Sequence, residues 1–356
     1  MEKMTEHQSI YKNAQAEAAF MAEYDGALER LTVPYEAKHV STSYGDTHMI
    51  VSGPEGGEPI IVLHGGDIDS TFMIPIIAGL AQSYRIYALD IIGYAGKSKA
   101  VKSIEDRAMF VEWLTGVLDA LNIEKAHMVG WSLGGFLTTN YALEKPERLK
   151  KIVLLAPAAT FVPFSKKFLL RTQINSIVTM LAGEQYDARL FASYVLEGVM
   201  GAGNISKQDL EEGTDKDVAA LMLNFEKSSL KELDERINSA VKSFWDPPMY
   251  VPGNMNEEVL GALVQNSIVH AKTGKFSKPW RIGPHALPEE DIKKLKTPTL
   301  LLIGDHEFIY EVSPDQVIKR AEELVDNIQT ALVPNCSHAL VYEQTERVNS
   351  HILDFL

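Results

Sequence analysis

The residue types best suited to chemistry in this 356-residue chain lie in Gly130-Trp-Ser-Leu-Gly134, which has the pattern G-x-S-x-G. An apolar stretch precedes this segment and a helix-forming stretch follows, so Ser132 is predicted to lie on a tight turn between a strand and a helix. Such a turn lifts a serine hydroxyl clear of the backbone, where it can act as a nucleophile. The strained turn also requires small residues two positions to either side. A serine that only caps the following helix is the alternative interpretation.

Other residues along the chain strengthen this weak signal, because the bare pattern arises by chance in roughly one chain of this length in ten. His64-Gly65-Gly66 lies upstream, and Asp305, Glu307 and His338 lie downstream. A serine hydroxyl needs a base within hydrogen-bond reach, and histidine is the usual base. His338 is the candidate base, since it is predicted to lie in a loop between a strand and the last helix. A surface histidine without a catalytic role is the alternative.

The elements that must position these residues follow an alternating pattern. Continuous apolar runs predict parallel strands that are buried on both faces, at residues 60–63, 85–89, 127–130, 152–155 and 299–303. Helical patterns lie between them at residues 72–82, 104–121 and 133–144. Strands that alternate with helices predict an α/β fold with a mostly parallel central sheet and helices on both faces. Two further strands, at 37–43 and 47–52, are predicted to form a hairpin.

The alternation stops after residue 158, which predicts an insertion. Residues 160–287 are helix-rich, with predicted helices at 161–181, 188–200, 217–223, 230–244 and 256–270. A helical insertion of this size between two core strands predicts a cap over the sheet. The predicted organisation is therefore an N-terminal helix packed on the core (1–35), a core in two pieces (36–159 and 288–356) and the cap (160–287).

Composition limits the classes of partner and the compartment. The net charge of −14 argues against nucleic acid and anionic membranes as partners, because both are bound through basic surfaces. Cys336 is the sole cysteine, so an intrachain disulfide is excluded. The N-terminus lacks the apolar region of a signal peptide, and no stretch reaches the ~18–20 apolar residues of a membrane span. These features predict a cytoplasmic protein.

Taken together, the motifs resemble the α/β-hydrolase superfamily, and within it the capped serine esterases and lipase-like hydrolases of bacteria. Besides the serine turn, the resemblance rests on residues 59–66, 90–98, 297–304 and 337–356. Serine, then acid, then histidine is also the chain order of that superfamily. Members with an aspartate nucleophile, the dehalogenases and epoxide hydrolases, are disfavoured by Ser132. One departure is Ser337, since the superfamily often has glycine before the histidine.

The resemblance implies a catalytic triad of Ser132, His338 and a carboxylate. In the usual pattern the acid falls three residues after a glycine, which from Gly304 leads to Glu307. Asp305, directly after the predicted strand, is the alternative acid and is otherwise expected to form a turn. The other position at which the superfamily carries its acid, residues 156–158 here, contains no carboxylate.

The resemblance also implies an oxyanion hole and a reaction. The backbone N–H groups of Leu133 and Gly66 are the predicted donors, and His64 is expected to hold the loop. The implied reaction is hydrolysis of small or medium carboxylic esters through an acyl-enzyme, without a cofactor. Acyl transfer, lactone opening and carbon–carbon bond hydrolysis use the same triad and stay open. A non-catalytic ligand receptor on the same fold is the alternative outside the enzymes.

A metal site is not expected. Asp67, Asp69 and Asp90 match no ligand spacing and are predicted to form turns. The only partner predicted is therefore a small-molecule ester, and the sequence makes no prediction of oligomeric state.

Overall fold

The computed structural model describes residues 10–66, 68–166, 168–169, 249–273 and 283–356. Three of the predicted cap helices, at 188–200, 217–223 and 230–244, lie outside the described residues, as do most of the first one and Asp67. The fifth is present as a helix over Glu257–Thr273.

The described residues contain nine strands, and each strand predicted from hydrophobic patterning has a counterpart among them, whereas the two-residue strand Lys99–Ala100 was not predicted. They are β1 Tyr35–Thr42, β2 Gly45–Ser52, β3 Glu58–Leu63, β4 Tyr84–Leu89, β5 Lys99–Ala100, β6 Ala126–Trp131, β7 Leu149–Leu155, β8 Thr299–Gly304 and β9 Ile328–Val333. The α-helices of the described residues are α1 Ala14–Leu28, α2 Ile74–Leu80, α3 Arg107–Ala120, α4 Leu133–Glu144, α5 Glu257–Thr273, α6 Glu289–Ile292, α7 Pro314–Leu324, α8 Leu340–Glu343 and α9 Thr345–Phe355. Of the helices in these ranges, none combines the length and the apolar character that crossing a bilayer requires.

All nine strands belong to one sheet, in the order β1-β2-β4-β3-β6-β7-β8-β9, with β5 paired to β2. The predicted hairpin is confirmed, since β1 and β2 pair antiparallel, and β2 also pairs antiparallel with β4. From β4 to β9 all neighbours are parallel. The carboxyl ends of β3, β6, β8 and β9 therefore meet at one edge, which brings together the loops that follow them.

Alternating strand residues build a core on each face of the sheet. On β3, for example, Ile61 and Leu63 enter the core with α3, α4 and α7. Ile60 and Val62, on the opposite face, enter the core with α1, α2 and α9. Both faces are thus covered, as the continuous apolar runs predict, and the predicted fold class is confirmed.

The apolar spacing of residues 8–31 predicts one N-terminal helix over that span, and the observed helix, Ala14–Leu28, is shorter. α1 begins at Ala14 because the Asn13 side chain accepts a hydrogen bond from the Ala16 N–H at 2.8 Å and so caps the helix. Phe20 and Tyr24 are fully buried in the same core as α2 and α9. The helix also packs along α5, so it contacts both the sheet side and the segment 257–273.

Candidate active site

Ser132 lies on a sharp turn between β6 and α4, as the strand–turn–helix pattern predicts. Its dihedral angles are φ 54° and ψ −114°, a conformation that non-glycine residues avoid. Backbone hydrogen bonds hold it there: the Ser132 N–H donates to the Leu155 C=O at 2.8 Å, and the Ser132 C=O accepts from the Ala158 N–H at 2.9 Å. The Ser132 side chain makes no capping hydrogen bond to α4, so its hydroxyl is available for other contacts.

The glycines around Ser132 have a steric reason. A Cβ on Gly130 would lie 2.2 Å from the Gly134 carbonyl oxygen, and a Cβ on Gly134 would lie 2.2 Å from that of Leu63. Both distances are far shorter than a van der Waals contact. The atoms that would be approached belong to the backbone and have no room to move. The turn can therefore form only with glycine at these two positions.

His338 and Glu307 complete a hydrogen-bonded chain with Ser132. The Ser132 Oγ lies 3.0 Å from the His338 Nε2, and the His338 Nδ1 lies 2.8 Å from the Glu307 Oε2. An ionised carboxylate only accepts, so Nδ1 carries the ring proton and Nε2 is left to accept from the serine hydroxyl. His338 and Glu307 are both buried, whereas Ser132 is partly exposed. Residues up to 206 positions apart in the sequence thus form one continuous hydrogen-bonded chain.

Asp305, the alternative acid, contacts a different set of groups. Its Oδ1 accepts from the Cys336 N–H at 3.2 Å and lies 2.7 Å from the His306 Nδ1. Burial raises the pKa of Asp305, but the backbone hydrogen bond from Asn335, the His306 contact and the Cys336 bond outweigh it, so the pKa lies below its usual range. Asp305 therefore joins the turn after β8 to the loop before His338.

The predicted oxyanion loop lies against the serine turn. A Cβ on Gly65 would be 3.5 Å from the Ser132 Cβ, and a Cβ on Gly66 would be 3.8 Å from the Leu133 Cδ2. Leu133 is the first residue of α4, so its N–H has no acceptor within the helix. The fully buried His64 accepts from the Ile91 N–H at Nε2 (3.0 Å) and donates from Nδ1 to the Gly65 C=O (2.7 Å). That bond fixes the peptide plane between Gly65 and Gly66.

Comparison with known proteins assigns this architecture to a family. A sequence profile described as the alpha/beta hydrolase fold matches residues 58–345. This chain belongs to the α/β-hydrolase family. It is 31% identical over 338 residues to carboxylesterase YbfK of Bacillus subtilis, with 95% of this chain and 93% of that protein covered. The resemblance inferred from the motifs is thereby confirmed.

Two further similarities extend the comparison. The crystal structure of naproxen esterase (carboxylesterase NP) from Bacillus subtilis superimposes with a TM-score of 0.71 at 27% identity, over 97% of this chain and 99% of that one. A 2-hydroxy-6-oxononadienedioate/2-hydroxy-6-oxononatrienedioate hydrolase of Paraburkholderia phymatum is 25% identical over 90% of this chain and 95% of that protein. Similarity thus extends over 90–97% of this α/β-hydrolase chain and beyond the range that the profile matches.

Asp69 and Asp90, two of the three aspartates considered for metal binding, have structural partners in this α/β hydrolase. Asp69 caps a short 3-10 helix by accepting from the Thr71 N–H at 2.7 Å. Asp90 is fully buried, and its Oδ2 lies 2.9 Å from the His48 Nδ1. Burial raises the pKa of Asp90, but the His48 contact and bonds from Ser70 and Lys97 outweigh it and lower the pKa to about 2. Within the described ranges, no group of three His, Cys, Asp or Glu side chains is arranged to hold a metal ion.

Two contacts of the histidine loop were not predicted from the sequence. The indole Nε1 of Trp131 donates to the His338 C=O at 3.0 Å, so the residue before the serine holds the backbone of the histidine. Glu343, noted in the sequence only as part of the C-terminal resemblance, turns its carboxylate to the Ser337 N–H at 2.8 Å. The sequence does not predict either contact. The His338 C=O is distant from Trp131 in the sequence, and the N–H that Glu343 binds is a backbone group that almost any residue could supply.

Proposed function

We propose that this protein hydrolyses small or medium-sized carboxylic esters, with Ser132 as nucleophile, His338 as base and Glu307 as the orienting acid. The observation that carries the proposal is the continuous hydrogen-bonded chain from the Ser132 Oγ through both nitrogens of His338 to the Glu307 carboxylate. Similarity over nearly the full length to carboxylesterase YbfK supports the same class of substrate.

The first half-reaction forms an acyl-enzyme. The Ser132 Oγ attacks the ester carbonyl carbon while His338 Nε2 takes the hydroxyl proton. The tetrahedral intermediate then collapses, the bond between the carbonyl carbon and the alcohol oxygen breaks, and Nε2 returns the proton to the departing alcohol. The Glu307 carboxylate, 2.8 Å from Nδ1, stabilises the imidazolium that exists between these two transfers.

The second half-reaction uses the same groups on water. His338 Nε2 takes a proton from a water molecule as its oxygen attacks the acyl carbon. Collapse breaks the bond to Ser132 Oγ, which regains its proton, and the carboxylic acid leaves. In both halves the N–H groups of Leu133 and Gly66 bind the negatively charged oxygen. The N–H at the start of α4, which has no acceptor within the helix, and the peptide plane held by His64 support this assignment.

We assign residues 160–287 to a cap over this site. The chain leaves the sheet at the carboxyl end of β7, beside the loops that carry the proposed triad, and the two ends of the insertion lie together, since the Leu287 N–H donates to the Thr160 C=O at 3.1 Å. A cap there would enclose the acyl group and favour small esters over polymers. The enclosed pocket itself lies largely outside the described residues. The cytoplasmic location stays a prediction from composition.

Carbon–carbon bond hydrolysis is the second candidate function. The observation that favours it is the 25% identity, over most of both chains, to a hydrolase of 2-hydroxy-6-oxononadienedioate. Acyl transfer and lactone opening also need no change to the triad. A receptor without catalysis is disfavoured because it has no need of the complete chain from Ser132 to Glu307.

The test combines labelling with a substrate panel. A fluorophosphonate probe should label Ser132 alone, and Ser132→Ala should abolish labelling and ester hydrolysis while the circular dichroism spectrum stays unchanged. p-Nitrophenyl esters of graded chain length should be turned over faster at short and medium lengths, and a vinylogous 1,5-diketo acid should be cleaved slowly by comparison. Labelling at another residue, or full activity in Ser132→Ala, would refute the assignment. Preferred cleavage of the diketo acid would select the second candidate.

A further inference from the structure

Glu343 is a buried carboxylate that the proposed reaction does not use. It ends the short helix α8, five residues after His338, and only 7% of it is exposed. Burial raises the pKa of Glu343, opposed by two backbone hydrogen bonds, while the charge of Glu307 raises it further and His306 lowers it. A buried acid is costly unless its oxygens are occupied, so its partners indicate what it does.

Both carboxylate oxygens of Glu343 accept from backbone N–H groups, and the two donors belong to different parts of the chain. The Oε2 accepts from Ser337, the residue directly before His338, at 2.8 Å. The Oε1 accepts from Val251 at 2.5 Å. Val251 lies in the segment 249–251, where the described chain resumes before α5. One side chain therefore joins this segment to the loop that carries the histidine.

The residue on the other side of the histidine is bound to the same segment. The Ala339 N–H donates to the Met249 C=O at 3.0 Å. The neighbours of His338 on both sides thus depend on residues 249–251, one directly and one through Glu343. The third restraint is the Trp131 indole on the C=O of His338 itself. These bonds hold the backbone of the histidine, whereas Glu307 holds its ring.

We propose that Glu343 is a positioning residue for His338, which transmits the position of the segment 249–251 to the histidine loop. It contacts no reacting group and acts through the backbone of Ser337. The inference rests on the proposed function, because it matters only if His338 is the base. As a consequence, the 3.0 Å distance between the His338 Nε2 and the Ser132 Oγ depends on the position of the segment 249–251.

The test is Glu343→Gln, with Glu346→Gln as the matched control. A glutamine has one acceptor oxygen, so it can accept from the N–H of Ser337 or of Val251 but not from both. Its NH2 group, which is a donor, then faces the other N–H. Glu346 is an exposed acid three residues further on. Active sites are counted by fluorophosphonate titration, and kcat is expressed per titrated site. We expect Glu343→Gln to lower kcat per site about 10- to 100-fold, with KM changed less than about threefold, since small displacements of a catalytic group cost this much. The control should match the wild type.

Other outcomes separate this inference from the proposed function. A merely structural role would lower the melting temperature and the fraction of titratable sites but leave kcat per site and its pH profile unchanged, and that result would overturn the inference. Absence of Ser132 labelling in the wild type would instead overturn the proposed function. If Glu343→Gln does not fold, Glu343→Asp tests the same link, since it keeps the charge but is one methylene too short to reach both donors. An Asp variant with wild-type kcat per site would likewise overturn the inference.

Discussion

Replacing Glu307 by glutamine should switch off the proposed base by changing the tautomer of His338. The Glu307 Oε2 faces the His338 Nδ1, while the Oε1 accepts from the N–H groups of Phe308 at 2.9 Å and Ile309 at 3.2 Å. The single oxygen of a glutamine will be taken by those two donors. Its NH2 is then left to donate to Nδ1, which moves the ring proton to Nε2. In that state Nε2 cannot accept the proton of Ser132.

The expected loss follows from the two orientations of the glutamine amide. The wrong tautomer costs ~10⁴-fold in kcat in serine triads, which equals about 5.5 kcal/mol in the barrier. Turning the amide over would restore the tautomer, but it would leave two backbone N–H groups facing an NH2, at about 1–3 kcal/mol each. An orientation that costs roughly 2–6 kcal/mol is populated at one part in about 30 to one part in about 10⁴. We therefore expect kcat to fall by at least about 30-fold and by at most ~10⁴-fold.

The assay is kcat for a short p-nitrophenyl ester, expressed per site titrated with a fluorophosphonate. Asp305→Asn is the matched control, because Asp305 lies two residues away and contacts Cys336 and His306 instead of His338. We expect this control to keep kcat within about threefold of the wild type, the usual range for a change away from the reacting groups. Near-normal turnover in Glu307→Gln together with a large loss of turnover in Asp305→Asn would contradict the assignment of Glu307 and transfer the role to Asp305.

Two further changes test the site and its support. Gly66→Pro removes the N–H that is proposed to bind the oxyanion and should lower kcat about 10²–10³-fold, whereas Gly66→Ala keeps that N–H and meets only an ordinary contact at 3.8 Å. Equal losses of kcat in both variants would reject Gly66 as a donor. The pKa of Asp90 is lowered from 3.8 to about 2, so its ionised form should stabilise the fold by about 2 kcal/mol above about pH 4, and this contribution should disappear as the pH falls towards 2. The free energy of unfolding in urea, measured between pH 6 and pH 3, should fall with pH in the wild type and fall less in Asp90→Asn. An equal fall in both proteins would show that Asp90 is not the cause of the acid dependence.

Much of the fold could be predicted because both periodicity and steric demand are local. The continuous apolar runs at β3, β4, β6, β7 and β8 indicated strands buried on both faces, and the structure has strands at each of these positions. The boundaries of α1 were predicted less well, since its start is decided by one capping bond from Asn13 and not by the apolar pattern. The strand order could not be predicted, because pairing across the sheet depends on long-range packing.

The candidate site likewise has features that could be predicted from the sequence and features that could not. The glycines around Ser132 could be identified from the sequence, because the sharp turn itself excludes a Cβ at Gly130 and Gly134. The choice between Glu307 and Asp305 was left open by the residues themselves, since both carboxylates follow β8 within three positions. Folding brings only Glu307 to within 2.8 Å of the His338 ring and turns Asp305 towards the Cys336 backbone.

The class of sheet, the serine turn and the order of the chemically capable residues follow from the amino-acid sequence alone, because each depends on local spacing and local sterics. Three contacts, by contrast, arise only when the chain folds: that of Glu307 with the histidine, that of the Trp131 indole with the histidine backbone, and the link that Glu343 makes between Ser337 and Val251. These contacts link residues that are 92 to 207 positions apart or depend on the direction in which a buried side chain points. The direction of a buried side chain is set by the packing of the whole core, and no single segment of the sequence determines that packing.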